Sequence, residues 1–317
     1  MTAPTATPTD LEPISGVEHW VTKQHESGPI RLFAWEKYLP SRKGSFAGTI
    51  LLVHGSSMAS TPTFDLHVPG HGEAHSPMDY FARLGYDVWC FDCEGYGRSD
   101  KTRDTKFYVS DGADDTEAVA EYIKQVRGDE KLLMFGGSSG ALRAAMFAER
   151  RPDRVKRLIL DAFVWTGKDA PTLEQRRKRL PEYLASNRRP VNPEFVRTIF
   201  TRDRPGTADD EVVEAFATAI CELDDSIPNG TYVDMCQNLP LVDPRKIDVP
   251  ILILRGEYDG IASFDDLLEF FRLLPNNDKQ FIVVPGAAHS GLHGKNFRTN
   301  FHIMQSYWSQ PDPVYLG

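Results

Sequence analysis

The sequence predicts an α/β protein built on a mostly parallel, doubly wound sheet with one inserted helical segment. Three observations carry that expectation. Apolar runs of strand length recur along the chain: TILLVHG (49–55), YDVWCFD (86–92), KLLMFGG (131–137), VKRLILD (155–161), PILILRG (250–256) and KQFIVVPG (279–286). Runs this apolar suit strands buried on both faces, the condition of a parallel sheet covered by helices. Segments of helical periodicity fill the gaps, at 78–84, 113–126, 141–150, 265–274 and 297–308, and such alternation marks strand-helix-strand construction. The third observation is an interruption. From 165 to 246 the chain is helix-like, punctuated by proline, and free of any buried-strand run until PILILRG resumes the pattern.

Taken in order, residues 1–15 are rich in Thr, Pro and Ala and offer little apolar surface to offset the entropy of ordering, so a mobile tail is expected. Val17–Glu26 and Ile30–Leu39 have strand composition and flank a Ser-Gly-Pro turn signal, which predicts a hairpin. The sheet and its helices are then expected to occupy 16–164 and 247–317, with a helical cap over 165–246. The 317 residues contain 41% hydrophobic and 26% charged side chains, ordinary for a folded globular chain. A formal charge of −9 disfavours nucleic acid and anionic lipid as partners. No run approaches the roughly 20 apolar residues of a membrane-spanning helix. The start, MTAPTATPTDLEP, has neither the basic region nor the apolar stretch of a signal peptide, and a cytoplasmic location is expected. Four cysteines are too few for a disulfide scaffold, and Cys90 and Cys93 form a single C-x-x-C without a second pair. Neither a metal nor a cofactor is expected.

The most informative local feature is Gly136-Gly137-Ser138-Ser139-Gly140, which directly follows the apolar KLLMF and directly precedes the helical ALRAAMFAER. A strand-to-helix turn this sharp strains the backbone at Ser138 and crowds its neighbours, so small residues are needed two positions to either side. The turn lifts the hydroxyl clear of the sheet and makes Ser138 a candidate nucleophile. A serine hydroxyl is a weak nucleophile at neutral pH and requires a base and an orienting acid. Asp259 follows PILILRG and His289 follows VVPG, which puts both groups at the carboxyl edge of the sheet, where open α/β sheets build sites. The chain order Ser, Asp, His is the one this elbow requires. Asp161 at the end of another strand and His293 are the competitors, and His54 precedes Ser138 and so fits a structural role better than a catalytic one. Backbone N–H groups of Ser139 and of Ser56, with Ser57 as the second choice, are the candidate oxyanion donors.

These residues resemble the α/β-hydrolase superfamily in its cap-bearing branch of serine esterases, carbon-carbon bond hydrolases and cofactor-free haloperoxidases. The resemblance runs from about residue 16 to the end. It includes Asp92-Cys93-Glu94-Gly95-Tyr96-Gly97-Arg98-Ser99, which matches the D-x-x-G-x-G-x-S turn of the superfamily and makes the C-x-x-C a coincidence. It implies Ser138 as nucleophile, Asp259 as acid, His289 as base, and Ser56 and Ser139 as oxyanion donors. A long segment from Ser57 to Pro77 departs from the pattern. Its His67, His71 and His75 have metal-like helical spacing, but Pro69, Gly70 and Gly72 interrupt any helix there, and the segment is expected to border the entrance.

The expected reaction is hydrolysis of a small-molecule carboxylic ester through an acyl-enzyme. Serine at the nucleophile position argues against dehalogenase and epoxide-hydrolase chemistry, which use a carboxylate. Between Arg176 and Arg204 nine basic residues (Arg176, Arg177, Lys178, Arg179, Arg188, Arg189, Arg197, Arg202, Arg204) stand against three acids (Glu182, Glu194, Asp203). They form either a solvated helix face or, for one or two arginines, a site for a substrate carboxylate, because Arg offers a bidentate fork. Arg176 and Arg177 are the candidates, with Ser57, Phe163 and Trp165 as further contacts and Tyr183 and Tyr232 as candidates for apolar lining. Monoesters of aromatic or dicarboxylic acids would fit. A carbon-carbon bond hydrolase acting on a diketone acid and a non-enzymatic receptor on the same fold are the alternatives.

Overall fold

The computed structural model describes residues 11–128 and 131–315. The first ten residues of the expected tail lie outside this range. The elements run β1 (Ser15–Lys23), β2 (Ile30–Tyr38), β3 (Thr49–Val53), α1 (Ser60–Phe64), α2 (Pro77–Arg83), β4 (Asp87–Phe91), α3 (Val109–Arg127), β5 (Leu132–Gly137), α4 (Ser139–Arg150) and β6 (Val155–Asp161). The segment between β6 and the resumed pattern holds α5 (Pro171–Arg177), α6 (Leu180–Ala185), β7 (Arg188–Pro190), α7 (Pro193–Thr201), α8 (Asp210–Leu223), β8 (Ser226–Pro228) and α9 (Gly230–Gln237). β9 (Ile251–Gly256), α10 (Phe264–Leu273), β10 (Lys279–Val284) and α11 (Phe297–Ser309) complete the chain.

Eight strands form one sheet in the order β1-β2-β4-β3-β5-β6-β9-β10. β1 and β2 form the expected antiparallel hairpin, β2 joins β4 antiparallel, and the rest of the sheet is parallel. Alternation along each strand sends side chains to two cores. Leu51, Trp89, Met134 and Leu160 pack with α3, α4 and α10 on one face, and Ile50, Val88, Phe135 and Ile159 pack with α2 and α11 on the other. All five residues of β3 and of β4 are buried, as parallel strands covered on both faces require. β10 is only half-buried because it is the sheet edge and pairs with β9 alone.

Two differences from the sequence expectation have local causes. α3 begins four residues earlier than the periodicity indicates. Its first turn is held by Asp111, whose carboxylate accepts from the Tyr108 N–H at 2.7 Å, and by Asp234 of α9, which accepts from the Val109 N–H at 2.8 Å. Carboxylates satisfy the free N–H groups and the positive end of the helix there. The inserted segment is not purely helical, since β7 and β8 pair antiparallel in a two-stranded sheet. Three-residue strands reading RRP and SIP carry no apolar alternation from which pairing could be read. Val196, Ile199, Phe216 and Ile227 of the segment belong to the same buried cluster as the α3/α4 face. Among the described residues no helix is long and apolar enough to cross a membrane.

Candidate active site

The turn between β5 and α4 carries Ser138 at φ 56°, ψ −124°, a left-handed conformation that costs a non-glycine residue energy and persists only where its surroundings enforce it. The Ser138 N–H donates to the Asp161 carbonyl at 2.8 Å, and the Ser138 carbonyl accepts from the Ala141 N–H at 3.0 Å. The flanking glycines are demanded by close approach. A methyl group at Gly136 would collide with the Gly140 carbonyl, and one at Gly140 would collide with the carbonyls of Val53 and His54.

Ser138, Asp259 and His289 come together as a continuous relay. Ser138 Oγ lies 2.9 Å from His289 Nε2, and His289 Nδ1 lies 3.0 and 3.1 Å from the two carboxylate oxygens of Asp259. Asp259 Oδ1 also accepts from the N–H groups of Ile261 and Ala262 at 2.9 and 3.2 Å. Burial opposes the charge on Asp259. The facing His289, its hydrogen bond, the Ile261 N–H and nearby Arg202 outweigh that penalty and hold the carboxyl well below the usual range. An ionised Asp259 fixes the proton on Nδ1, which leaves Nε2 free to accept from Ser138.

The loop after β3 lies against the elbow, with Gly55 placed so that a side chain there would touch Ser138 and the Gly137 carbonyl. Ser56 and Ser57 follow and are buried. The Ser56 carbonyl accepts from Arg189 Nη2 at 2.8 Å and from the Tyr96 hydroxyl at 3.3 Å. Ser139 is the first residue of α4, where N–H groups have no acceptor within the helix. His54 is part of the scaffold: its Nδ1 donates to the Gly55 carbonyl at 2.6 Å and its Nε2 accepts from the Cys93 N–H at 3.0 Å. Asp92 of the glycine-rich turn accepts from the Ser60 N–H, the Ser60 hydroxyl and the Arg98 N–H, and the Gly97 N–H donates to Asp224 at the end of α8. Cys90 and Cys93 are free thiols. Burial raises both, Cys93 to about 12.

A pocket opens beside Ser138 and His289, lined by Met58, Phe64, Phe135, Phe216 and Leu292 together with Asp161 and His293. Burial and the neighbouring Asp259 push the Asp161 carboxyl well above its ordinary range. His293 lies outside the relay, its Nε2 donating to the Thr63 carbonyl at 2.9 Å. The spaced histidines of the long loop meet the inserted segment, with His71 between His75 at 3.1 Å and Glu211 of α8 at 3.0 Å.

The expected substrate contacts separate into two groups. Ser57 Oγ lies 3.1 Å from the Tyr232 hydroxyl, and the Arg176 guanidinium sits 4.2 Å from the Tyr232 ring centre. Phe163 and Trp165 instead pack against Phe270 of α10, at 4.8 and 5.8 Å between ring centres, so they complete the core and do not line the pocket. Arg177 is exposed and donates to the Cys236 carbonyl at 3.2 Å. Sequence reasoning did not single out Arg189, Arg202 or Asp203. Asp203 brings a carboxylate oxygen within 4.8 Å of those of Asp259 and the His289 ring nitrogen.

Comparison with known proteins agrees with this architecture. A 2-hydroxy-6-oxononadienedioate/2-hydroxy-6-oxononatrienedioate hydrolase of Paraburkholderia phymatum is 30% identical over 37% of this chain, and the match spans 36% of that protein's length. A probable proline iminopeptidase of Leptolyngbya boryana is 24% identical over 76% of this chain and 85% of its own. Among solved structures, an esterase from Exiguobacterium antarcticum superposes with a TM-score of 0.67 at 15% identity, covering 93% of this chain and all of the other. A thermophilic esterase from Thermogutta terrifontis does so with a TM-score of 0.64 at 20% identity, covering 92% and 96%. A family model described as serine aminopeptidase, S33, matches residues 70–296, the stretch that holds Ser138, Asp259 and His289, and the chain therefore belongs to that family within the α/β-hydrolase superfamily.

Proposed function

We propose that the protein is a serine hydrolase that cleaves carboxylic esters through an acyl-enzyme on Ser138. The observation that supports this reading above all is the unbroken hydrogen-bonded relay from Ser138 through His289 to Asp259. His289 takes the Ser138 proton as the oxygen attacks the ester carbonyl, the N–H groups of Ser56 and Ser139 receive the developing oxyanion, and protonated His289 delivers its proton to the leaving alcohol. Water then attacks the acyl-enzyme by the same proton transfers and frees the acid. Asp259 keeps the imidazole oriented and favours its charged form. Residues 165–246 act as a cap over the nucleophile, and the apolar pocket receives one hydrocarbon arm of the ester.

A second reading is favoured by the relatives whose names describe hydrolases of 2-hydroxy-6-oxononadienedioate: the same relay would cleave a carbon-carbon bond in a diketone acid. Assay of p-nitrophenyl acetate and butyrate with wild type and Ser138→Ala, beside a diketone acid, separates the two. Ser138-dependent release of p-nitrophenol at the higher kcat/KM supports the esterase. Weak ester turnover beside strong diketone cleavage moves the assignment to the carbon-carbon hydrolase, and no Ser138-dependent turnover of either leaves a binding protein.

A further inference from the structure

Three arginines from three elements converge on one phenol. Arg176 at the end of α5 and Arg189 on β7 place their guanidinium carbons 4.2 and 3.6 Å from the Tyr232 ring centre, and Arg202, just after α7, lies within electrostatic reach of the same side chain. Their hydrogen bonding is unequal. Arg189 is a clamp, donating to the carbonyls of Pro228 and Ser56. The Arg176 side chain makes no hydrogen bond or ion pair among the described residues, and Arg202 keeps Nε and Nη2 shielded from solvent with no hydrogen-bond partner. The acids at hand do not balance the set: Asp203 forms an ion pair with Arg202 Nε at 3.5 Å, Asp259 is committed to His289, and Arg176 and Arg189 face no carboxylate among the described residues. Unmade hydrogen bonds on shielded guanidinium nitrogens are costly, and a planar anion taking the fork of Arg202, with half-buried Arg176 as its second donor, removes that cost.

We propose that Arg176, Arg202 and Tyr232 form a carboxylate-binding subsite beside the nucleophile, so that the preferred substrate is the half-ester of a dicarboxylic acid. The inference rests on the esterase reading above. The Tyr232 hydroxyl meets Ser57, the residue after the oxyanion donor Ser56, while the apolar pocket by Ser138 is lined by Met58, Phe64, Phe216 and Leu292. The two regions use different residues, one suited to a charge and one to a hydrocarbon arm. The phenol itself registers the positive field. Burial opposes its ionisation, yet Arg176, Arg189, the Ser57 hydrogen bond and Arg202 bring it down to about 7. A bound carboxylate consumes that field and drives the phenol back toward its ordinary value near 10.

The test compares half-esters of succinate, glutarate and phthalate with their neutral diesters. At least one half-ester is expected to exceed its diester in kcat/KM by about tenfold or more, and Arg176→Gln and Arg202→Gln each to cut that preference roughly 10- to 100-fold, as for loss of a charged hydrogen bond. No preference for any half-ester, or a preference within threefold of wild type in both variants, overturns the subsite. A second readout needs neither turnover nor a folded arginine variant. In Ser138→Ala, phenolate absorbance near 295 nm assigned by Tyr232→Phe is titrated with and without saturating succinate, glutarate or phthalate. An upward shift of the Tyr232 titration supports the subsite, and no shift with any of the three overturns it. Ser138-dependent hydrolysis of p-nitrophenyl acetate without half-ester preference removes the subsite and leaves the esterase. Absence of Ser138-dependent ester turnover removes the esterase, and the titration still decides the subsite.

Discussion

Arg189, on a three-residue strand of the inserted segment, donates from Nη2 to the carbonyl of Ser56 at 2.8 Å, so the segment holds the loop that supplies one candidate oxyanion donor. The same guanidinium donates from Nη1 to the Pro228 carbonyl and to Asn229 Oδ1. Its planar fork spans acceptors that a lysine ammonium on a flexible stem cannot span together. Arg189→Ala is expected to lower kcat about tenfold or more toward neutral and charged esters alike, because a misplaced backbone donor is lost only in the transition state. Arg189→Lys should recover little of it. Steady-state kinetics on p-nitrophenyl acetate decide the matter, and an unchanged kcat in Arg189→Ala would show that the loop holds its position without the clamp.

His289 and His293 are four residues apart, but only His289 reaches Ser138, whereas His293 is spent on the Thr63 carbonyl. Ser138→Ala and His289→Ala should each reduce kcat by roughly 10⁴-fold or more, with Asp259→Asn close behind through loss of the correct tautomer. His293→Gln should cost less than about tenfold. Equal losses at 289 and 293 would contradict the assignment of the base.

The strands were legible because parallel strands buried on both faces are written as unbroken apolar runs, as in Thr49–Val53 and Asp87–Phe91. The relay was legible for a related reason: Ser138, Asp259 and His289 each follow one of those runs, and parallel neighbours place the ends of their strands side by side. Arg189 and Arg202 were not legible as neighbours. Their approach to Tyr232 depends on the β7/β8 pairing and on how α7 and α9 pack, and neither leaves a periodic signature. Tyr232 reads in sequence as one more aromatic for a pocket wall, and only the folded chain places two guanidiniums against its ring. Phe163 and Trp165 misled for the opposite reason. They stand just past β6, near the site in sequence, but α10 presents Phe270 to both rings.

The glycine at 140 is fixed by β3 and not by the helix in which it sits. A methyl group there would overlap the Val53 and His54 carbonyls, and the backbone of a central strand cannot yield as a flexible side chain can. Gly140→Ala is therefore expected to destabilise by about 2 kcal/mol or more, the range of overpacked core sites. Gly70, where an added methyl would meet nothing within 4 Å and φ is 81°, provides the control. Gly70→Ala should cost only about 1 kcal/mol, from backbone strain alone. Urea denaturation of the two variants measures the difference, and similar losses would mean that the β3 contact is not what requires glycine at 140.

Two buried imidazoles make stability fall in acid. Burial lowers His54 to about 3, helped by the Arg143 charge and opposed by its hydrogen bonds to the backbone of Gly55 and Met58. Burial likewise lowers His293 to about 4, opposed by the Thr63 carbonyl and helped by His75. In the unfolded chain both titrate near 6.5. Between those values the unfolded state binds protons that the folded state refuses, so the stability present above about pH 6.5 is lost as pH falls toward the folded values. Each pH unit in that window costs about 1.4 kcal/mol per histidine, or on the order of 3 kcal/mol apiece by pH 4.5. Denaturant midpoints at pH 7 and pH 4.5 measure the total fall, and His293→Gln, which cannot take up the proton, isolates one share of it. The variant should start less stable at pH 7, because the contact with Thr63 is altered, yet lose less between the two pH values. A fall of the same size in wild type and variant would show that His293 does not contribute to the acid lability.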